Sequence, residues 1–287
     1  MARLFAFTVV FCLTFGQVNA QTGQSPQERC DRIFEVYNHC APGVQAGAAG
    51  FLFNYGNKSL VVPCTDGFDR TYYDRERNMD IASILSVPYP VGVSAVPGQS
   101  DPGRLRDYDL LKWIYGDSAQ VVSQNLRKVS FLGHNVLFNR RNGAANALAA
   151  VSNDIENLVK SDAGFLHQLQ PWMTDGKFNN VSRGTYNWRI VAGTDELSAH
   201  SFGVAIDLVP LKPGLPEYWR WTSHLSHVPE EQIPDFPVPA HIATFPQKLV
   251  DAFERHGFIW GNKWRHFDSM HFEYRPEFFA GFVPVCE

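Results

Sequence analysis

The chain has 287 residues, of which 45% are hydrophobic, 14% aromatic and 19% charged, a core-forming composition and not that of a disordered or low-complexity chain. The formal charge is −4 and the pI is near 6.2, so there is no global basic field to hold nucleic acid or anionic lipid, and neither DNA nor RNA is expected as the main partner. Composition also argues against collagen, a coiled coil and a polytopic membrane protein, and the length suits one large or two small domains.

Residues 1–20, MARLFAFTVVFCLTFGQVNA, begin with a positive charge at Arg3, continue through an apolar stretch from Leu4 to Phe15 and end in the small-residue pattern Val18-Asn19-Ala20. This is the pattern of a secretory signal peptide cut after Ala20. The apolar run is too short to span a bilayer of about 30 Å as a helix. No transmembrane segment is expected after signal cleavage, and the chain is expected to be exported, to a periplasm first and as a secreted protein second. Cys12 leaves with the signal, and Cys30, Cys40, Cys64 and Cys286 remain, an even set for an oxidising compartment.

Gln27 to Cys40 reads as an amphipathic helix with Ile33, Phe34 and Tyr37 on one face. Ten helical residues separate Cα atoms by about 15 Å, whereas a disulfide needs less than about 7 Å. Cys30–Cys40 pairing is therefore disfavoured, and the helix is expected to be bonded to Cys64 and to Cys286. A zinc site built from these cysteines is the alternative, but no Cys-x-x-Cys pair supports it. Residues 86–103 carry four prolines and three glycines, and residues 210–239 seven prolines, so both are expected to be irregular. Helical spacing recurs from Ala144 to Lys160 and from Pro239 to His256, the latter stopping at Gly257. Val129–Phe138, Trp188–Ala192, Gly203–Leu208 and Met270–Tyr274 read as β-like runs. All seven tryptophans lie between Trp113 and Trp264, which places the main core in the second half. Helices mixed with short strands, without βαβ periodicity, indicate an α+β fold. Asn57-Lys58-Ser59 and Asn180-Val181-Ser182 fit glycosylation acceptor patterns and are given no functional role.

Two segments carry chemistry. In Ser198-Ala199-His200-Ser201-Phe202-Gly203-Val204-Ala205-Ile206-Asp207, the seven-residue spacing puts His200 and Asp207 on opposite faces of a straight strand, but Gly203 permits a bend that brings both to one cavity. Asp207 ends an apolar run, where an isolated carboxylate is costly without a cation. In Asp268-Ser269-Met270-His271-Phe272-Glu273-Tyr274, the alternation of Met270, Phe272 and Tyr274 leaves His271 and Glu273 on the other side of the strand, with Asp268 one turn earlier. Two histidines and a carboxylate are a common three-ligand set for catalytic zinc, and a further carboxylate can serve as acid and base.

Ser-x-His-x-x-Gly-x-Ala-x-Asp followed by Asp-x-Met-His-Phe-Glu resembles the zinc D-alanyl-D-alanine carboxypeptidase and L-alanyl-D-glutamate endopeptidase family, which includes VanY-type and VanX-type peptidases and whose fold the hedgehog signalling domain shares. The resemblance extends from about Asp101 to Pro276, and nothing in residues 21–85 is recognised. It implies a small, mainly antiparallel sheet with flanking helices. The expected organisation is a signal peptide over 1–20, a disulfide-tied N-terminal extension over 21–100 and a zinc peptidase domain over 101–287. By the same resemblance His200, Asp207 and His271 bind Zn²⁺, Asp268 is the acid/base, and Arg189 neutralises the oxyanion or grips a substrate carboxylate. Ser198 supports the site by a hydrogen bond, Glu273 pairs with a neighbouring charge or stands in as the base, and His266 lies at the surface. The implied substrate is a peptidoglycan stem peptide with a D-residue at the cleaved bond. The alternative is a non-catalytic zinc-containing binding module of the cell envelope with the same fold. No Gly-x-Ser-x-Gly elbow supports serine chemistry.

Overall fold

A computed structural model describes residues 24–40, 44–47, 50–55, 58–64, 81–92, 101–174, 177–178, 185–191, 195–209, 245–264 and 267–287. The signal-like segment 1–20, the proline-rich run 210–239, residues 93–100, Asn57, Asn180 and His266 lie outside these residues.

Helix α1 (Pro26–His39) starts where the sequence encodes a capping box. The Ser25 hydroxyl accepts from the Glu28 N–H, while the Glu28 carboxylate accepts from the Ser25 N–H at 2.7 Å. Pro26 then occupies the first turn, where its missing N–H costs nothing. The helix buries Cys30, Ile33, Val36 and Tyr37, and Phe34 stacks on Phe51 with ring centroids 4.8 Å apart. Cys30 pairs with Cys64 and Cys40 with Cys286, with Cα atoms 6.1 and 5.3 Å apart, so the helix is bonded to Cys64 and to Cys286 as expected and Cys30–Cys40 pairing does not occur. Strands β1 (Val44–Gly47), β2 (Gly50–Tyr55) and β3 (Lys58–Pro63) form an antiparallel meander beside it. A single turn of helix, α2 (Ile81–Ile84), packs on α1, and Arg29 Nε donates to the Ala82 carbonyl at 2.8 Å.

The middle of the chain is helical around one hairpin. Helices α3 (Tyr108–Tyr115) and α4 (Ala119–Gln124) are capped by Asp107 and Ser118. The run Val129–Phe138, expected as one strand, is instead two, β4 (Leu126–Phe131) and β5 (His134–Asn139). Leu132 (φ 47°) and Gly133 (φ 84°) both take left-handed backbone between them, the requirement of a tight two-residue turn. Helix α5 (Ala144–Ser161) covers the hairpin with Leu148, Val151 and Ile155, as its periodicity predicts, and α6 (Ala163–Leu169) and the two-residue strands β6 (Met173–Thr174) and β7 (Lys177–Phe178) follow.

The central sheet has the order β8 (Ala205–Asp207), β10 (His271–Tyr274), β9 (Phe258–Trp260), all antiparallel. One face of β10 is aromatic. Phe272 stacks on Phe253 of helix α7 (Gln247–Arg255) at 3.9 Å and lies parallel to Trp260 at 5.8 Å, while Tyr274 meets Phe258 at 5.3 Å. Of the helix expected over Pro239–His256, residues 239–244 lie outside the described residues, and helix α7 starts after Pro246, which is itself extended (ψ 139°). It ends as expected at Gly257, which has φ +81°. The run Trp188–Ala192 is not a strand among the described residues. It supplies only an isolated bridge from Ile190 to Leu197, since its other hydrogen bonds go to the loop that carries His200. The fold is α+β with small antiparallel sheets and flanking helices. Its apolar core is not confined to the second half, because one buried cluster runs from Cys30 and Ile33 through Leu148 and Phe272 to Phe279.

Candidate metal centre

The site is built where a 3-10 helix meets the central sheet. Ala199–Phe202 forms that helix, and the Ser198 hydroxyl accepts from the His200 N–H at 3.3 Å, so Ser198 supports the site through the backbone. Gly203 (φ +66°) ends the helix in left-handed backbone and turns the chain into β8. A Cβ at that position would also lie 2.6 Å from Leu126 Cδ2. This turn resolves the spacing problem, since His200 comes from a helical turn and Asp207 from a strand. Antiparallel register then sets His271 directly opposite Asp207.

His200 Nε2 lies 3.2 Å and His271 Nδ1 3.0 Å from the same oxygen, Asp207 Oδ1. The three residues offer one ligand atom each, all within 4.8 Å of one another, and form a group able to hold a metal ion. Tetrahedral ligands about 2.0–2.1 Å from zinc are separated by roughly 3.3 Å, which the two distances to Asp207 match. The far nitrogens are also engaged. His200 Nδ1 is 2.6 Å from the Thr185 carbonyl and His271 Nε2 is 3.3 Å from Glu273 Oε2. A proton on each far nitrogen leaves the lone pairs of His200 Nε2 and His271 Nδ1 aimed at the Asp207 oxygen, which is how outer partners orient metal-binding imidazoles.

Burial alone would raise the Asp207 carboxyl, but His200 and His271 outweigh it and hold Asp207 well below the usual carboxylate range. Burial likewise opposes a charge on His271, yet hydrogen bonds to Asp207 and Glu273 lift it to about 10. A proton and a divalent cation therefore compete for the same atoms. Zinc uptake at pH 7 is expected to release close to one proton per ion, read from how the calorimetric binding enthalpy varies with buffer. Uptake without proton release would contradict this ligand arrangement.

The centre opens into a cavity of about 190 Å³ lined by Asp268, Trp264, Met270 and three arginines, Arg104, Arg106 and Arg189. The Asp268 N–H donates to the Gly261 carbonyl and the Asp268 carbonyl accepts from the His271 N–H, which fixes the turn before β10. Burial pushes the Asp268 carboxyl up to about 6, and the Asp207 charge adds to this against the pull of His271, His200 and Arg104. Arg189 sits at the mouth and is exposed. Glu273 is bound side-on by Arg106, with Nε–Oε1 at 2.9 Å and Nη2–Oε2 at 2.6 Å. Arg106 thereby holds it well below its ordinary value in spite of burial. Glu273 is thus an ion-paired support for His271 and not a free base. Arg104 and Arg106 were missed by sequence reasoning, and the charged pair Arg104-Leu105-Arg106 directly after the Pro/Gly-rich stretch was the one signal for them.

Two histidines and a carboxylate that could hold a metal ion thus share one cavity with a separate carboxylate, Asp268. Residues 192–274 match the family model of D-alanyl-D-alanine carboxypeptidase, the peptidase family that the two motifs resemble, and the match spans all four residues from His200 to His271. No curated protein and no solved structure matches the chain. No helix among the described residues is long and apolar enough to cross a membrane.

Proposed function

We propose that the chain is an exported zinc metallopeptidase that hydrolyses peptidoglycan stem peptides at a bond involving a D-amino acid. The observation that carries this reading is Asp268, a half-buried carboxylate in the cavity of the His200–Asp207–His271 cluster but not part of it. In this reading His200 Nε2, Asp207 Oδ1 and His271 Nδ1 hold Zn²⁺. A bound zinc ion supplies Lewis acidity, which acidifies a water molecule and polarises the scissile carbonyl. Asp268 takes the proton of the attacking water and returns it to the leaving amine. Arg189, at the mouth, balances negative charge that develops on the substrate. The two disulfides support an oxidising compartment such as the periplasm. A non-catalytic zinc module of the cell envelope would have no use for Asp268.

Of the cleavage modes, carboxypeptidase action fits the cavity best. Arg104, Arg106 and Arg189 give the cavity beside the cluster a cationic lining, the chemistry that receives a terminal carboxylate. The test is hydrolysis of a stem peptide ending in D-Ala-D-Ala, read by mass spectrometry beside zinc content. The expected result is a single zinc ion per chain and loss of the terminal D-Ala. Arg104→Ala is expected to raise KM on that peptide roughly 10–100-fold, the loss of a charge-assisted contact. Zinc without cleavage of any stem peptide would favour the binding module, and internal cleavage of amidated peptide would favour an endopeptidase.

A further inference from the structure

Behind His271, buried side chains form a continuous line to the N-terminal helix. His271 Nε2 faces Glu273 Oε2 at 3.3 Å, and Glu273 Oε1 accepts from Arg275 Nη1 at 3.4 Å. Arg275 Nε donates to Glu277 Oε1 at 2.5 Å, and Glu277 Oε2 accepts from the Tyr37 hydroxyl of α1 at 2.7 Å. Residues 271, 273 and 275 share one side of the extended chain, which is what lets alternate residues hand a contact onward. Tyr37, Glu273, Arg275 and Glu277 are each no more than 2% exposed, so water cannot take the place of a missing member. Burial and the Glu277 charge raise the Tyr37 hydroxyl well above its ordinary value, which keeps it a donor.

The same helix grips the backbone that follows β10. Arg32 Nη2 donates to the carbonyls of Pro276, Phe279 and Phe282. Arg275 Nη2 donates to the Leu105 carbonyl at 2.9 Å, between the two arginines of the cavity. The disulfides at Cys30 and Cys40 fix α1 along its length.

We infer that α1 is a positioning element for the metal centre. Tyr37, acting through Glu277, Arg275 and Glu273, holds the His271 imidazole with Nδ1 toward Asp207 and His200. This rests on the reading of those three residues as metal ligands. The test uses the full chain, with zinc affinity measured by competition and the visible spectrum of the cobalt(II) form as the probe of ligand geometry. Tyr37→Phe removes one hydroxyl and keeps the ring. It is expected to weaken zinc about tenfold, the lower end of what loss of an outer partner costs, and to alter the cobalt spectrum. Glu277→Gln is expected to act in the same direction. Phe34→Ala, on the Phe51 side of α1, is the comparison: it lowers the unfolding temperature but leaves zinc affinity and the cobalt spectrum unchanged. The inference is overturned if Tyr37→Phe and Glu277→Gln both keep the wild-type affinity and spectrum, or if Phe34→Ala weakens zinc as much as they do. A wild-type chain that takes up neither metal would overturn the ligand reading itself, and the inference with it.

Discussion

Asp268→Asn is expected to lower kcat/KM on a D-Ala-D-Ala stem peptide by roughly 10²–10⁴-fold, the range for loss of a general acid/base, with zinc content unchanged. Asparagine keeps the size of the side chain and its place in the turn before β10, so what is lost is proton transfer. The wild type is expected to show a pH signature of the same group. Burial lifts Asp268 to about 6, and the base form is the deprotonated one, so activity falls as pH drops through about 6. A cation beside Asp268 stabilises its charged form and moves this limb to lower pH, never higher. The pH profile of kcat/KM reads the limb directly. A variant that retains more than a tenth of wild-type turnover, or a wild-type limb well above pH 6, would remove Asp268 from the role.

Asp207→Ala is expected to cost more zinc affinity than the roughly 10–100-fold typical of an outer partner, because it removes a ligand. The oxygen of Asp207 is the shared neighbour of both imidazoles, at 3.2 and 3.0 Å, so its loss leaves two nitrogens with nothing between them. Equilibrium zinc competition and activity at stoichiometric zinc check this, and turnover should fall below detection. Retained zinc with retained turnover would mean that the cluster is a hydrogen-bonded core feature and the metal lies elsewhere. Asp207→Asn distinguishes charge from shape, since an amide oxygen keeps the geometry and loses the negative charge that holds the cation.

The histidines, Asp207 and Asp268 were legible because each sits in a short motif whose spacing survives folding. Gly203 between His200 and Asp207 is the local reason, since a bend there is written in one residue. The amphipathic period of α5 and the capped start of α1 were equally local. What could not be read depends on contacts between distant segments. Arg106 finds Glu273 across 167 positions and Tyr37 finds Glu277 across 240. Neither pairing leaves a periodic trace in sequence. The turn at Leu132-Gly133 is hidden in the β-like run Val129–Phe138, because a leucine at positive φ is not announced by its residue type.

The bond from Cys40 to Cys286 spans 246 positions and closes nearly the whole chain into a ring. In chain-entropy terms such a closure restricts the unfolded ensemble by about 5 kcal/mol. Its other consequence concerns time. A ribosome delivers α1 first, with Ile33, Val36 and Tyr37 exposed, and only after more than two hundred further residues come Arg275, Glu277 and Phe279, on which that face rests. The Cys30 and Phe34 side of α1 meets Cys64 and Phe51 early, but its Tyr37 contact is completed only by the far end of the chain. A partial product therefore holds neither the ring nor the support behind His271, and assembly of the cavity is timed to the arrival of the far end of the chain.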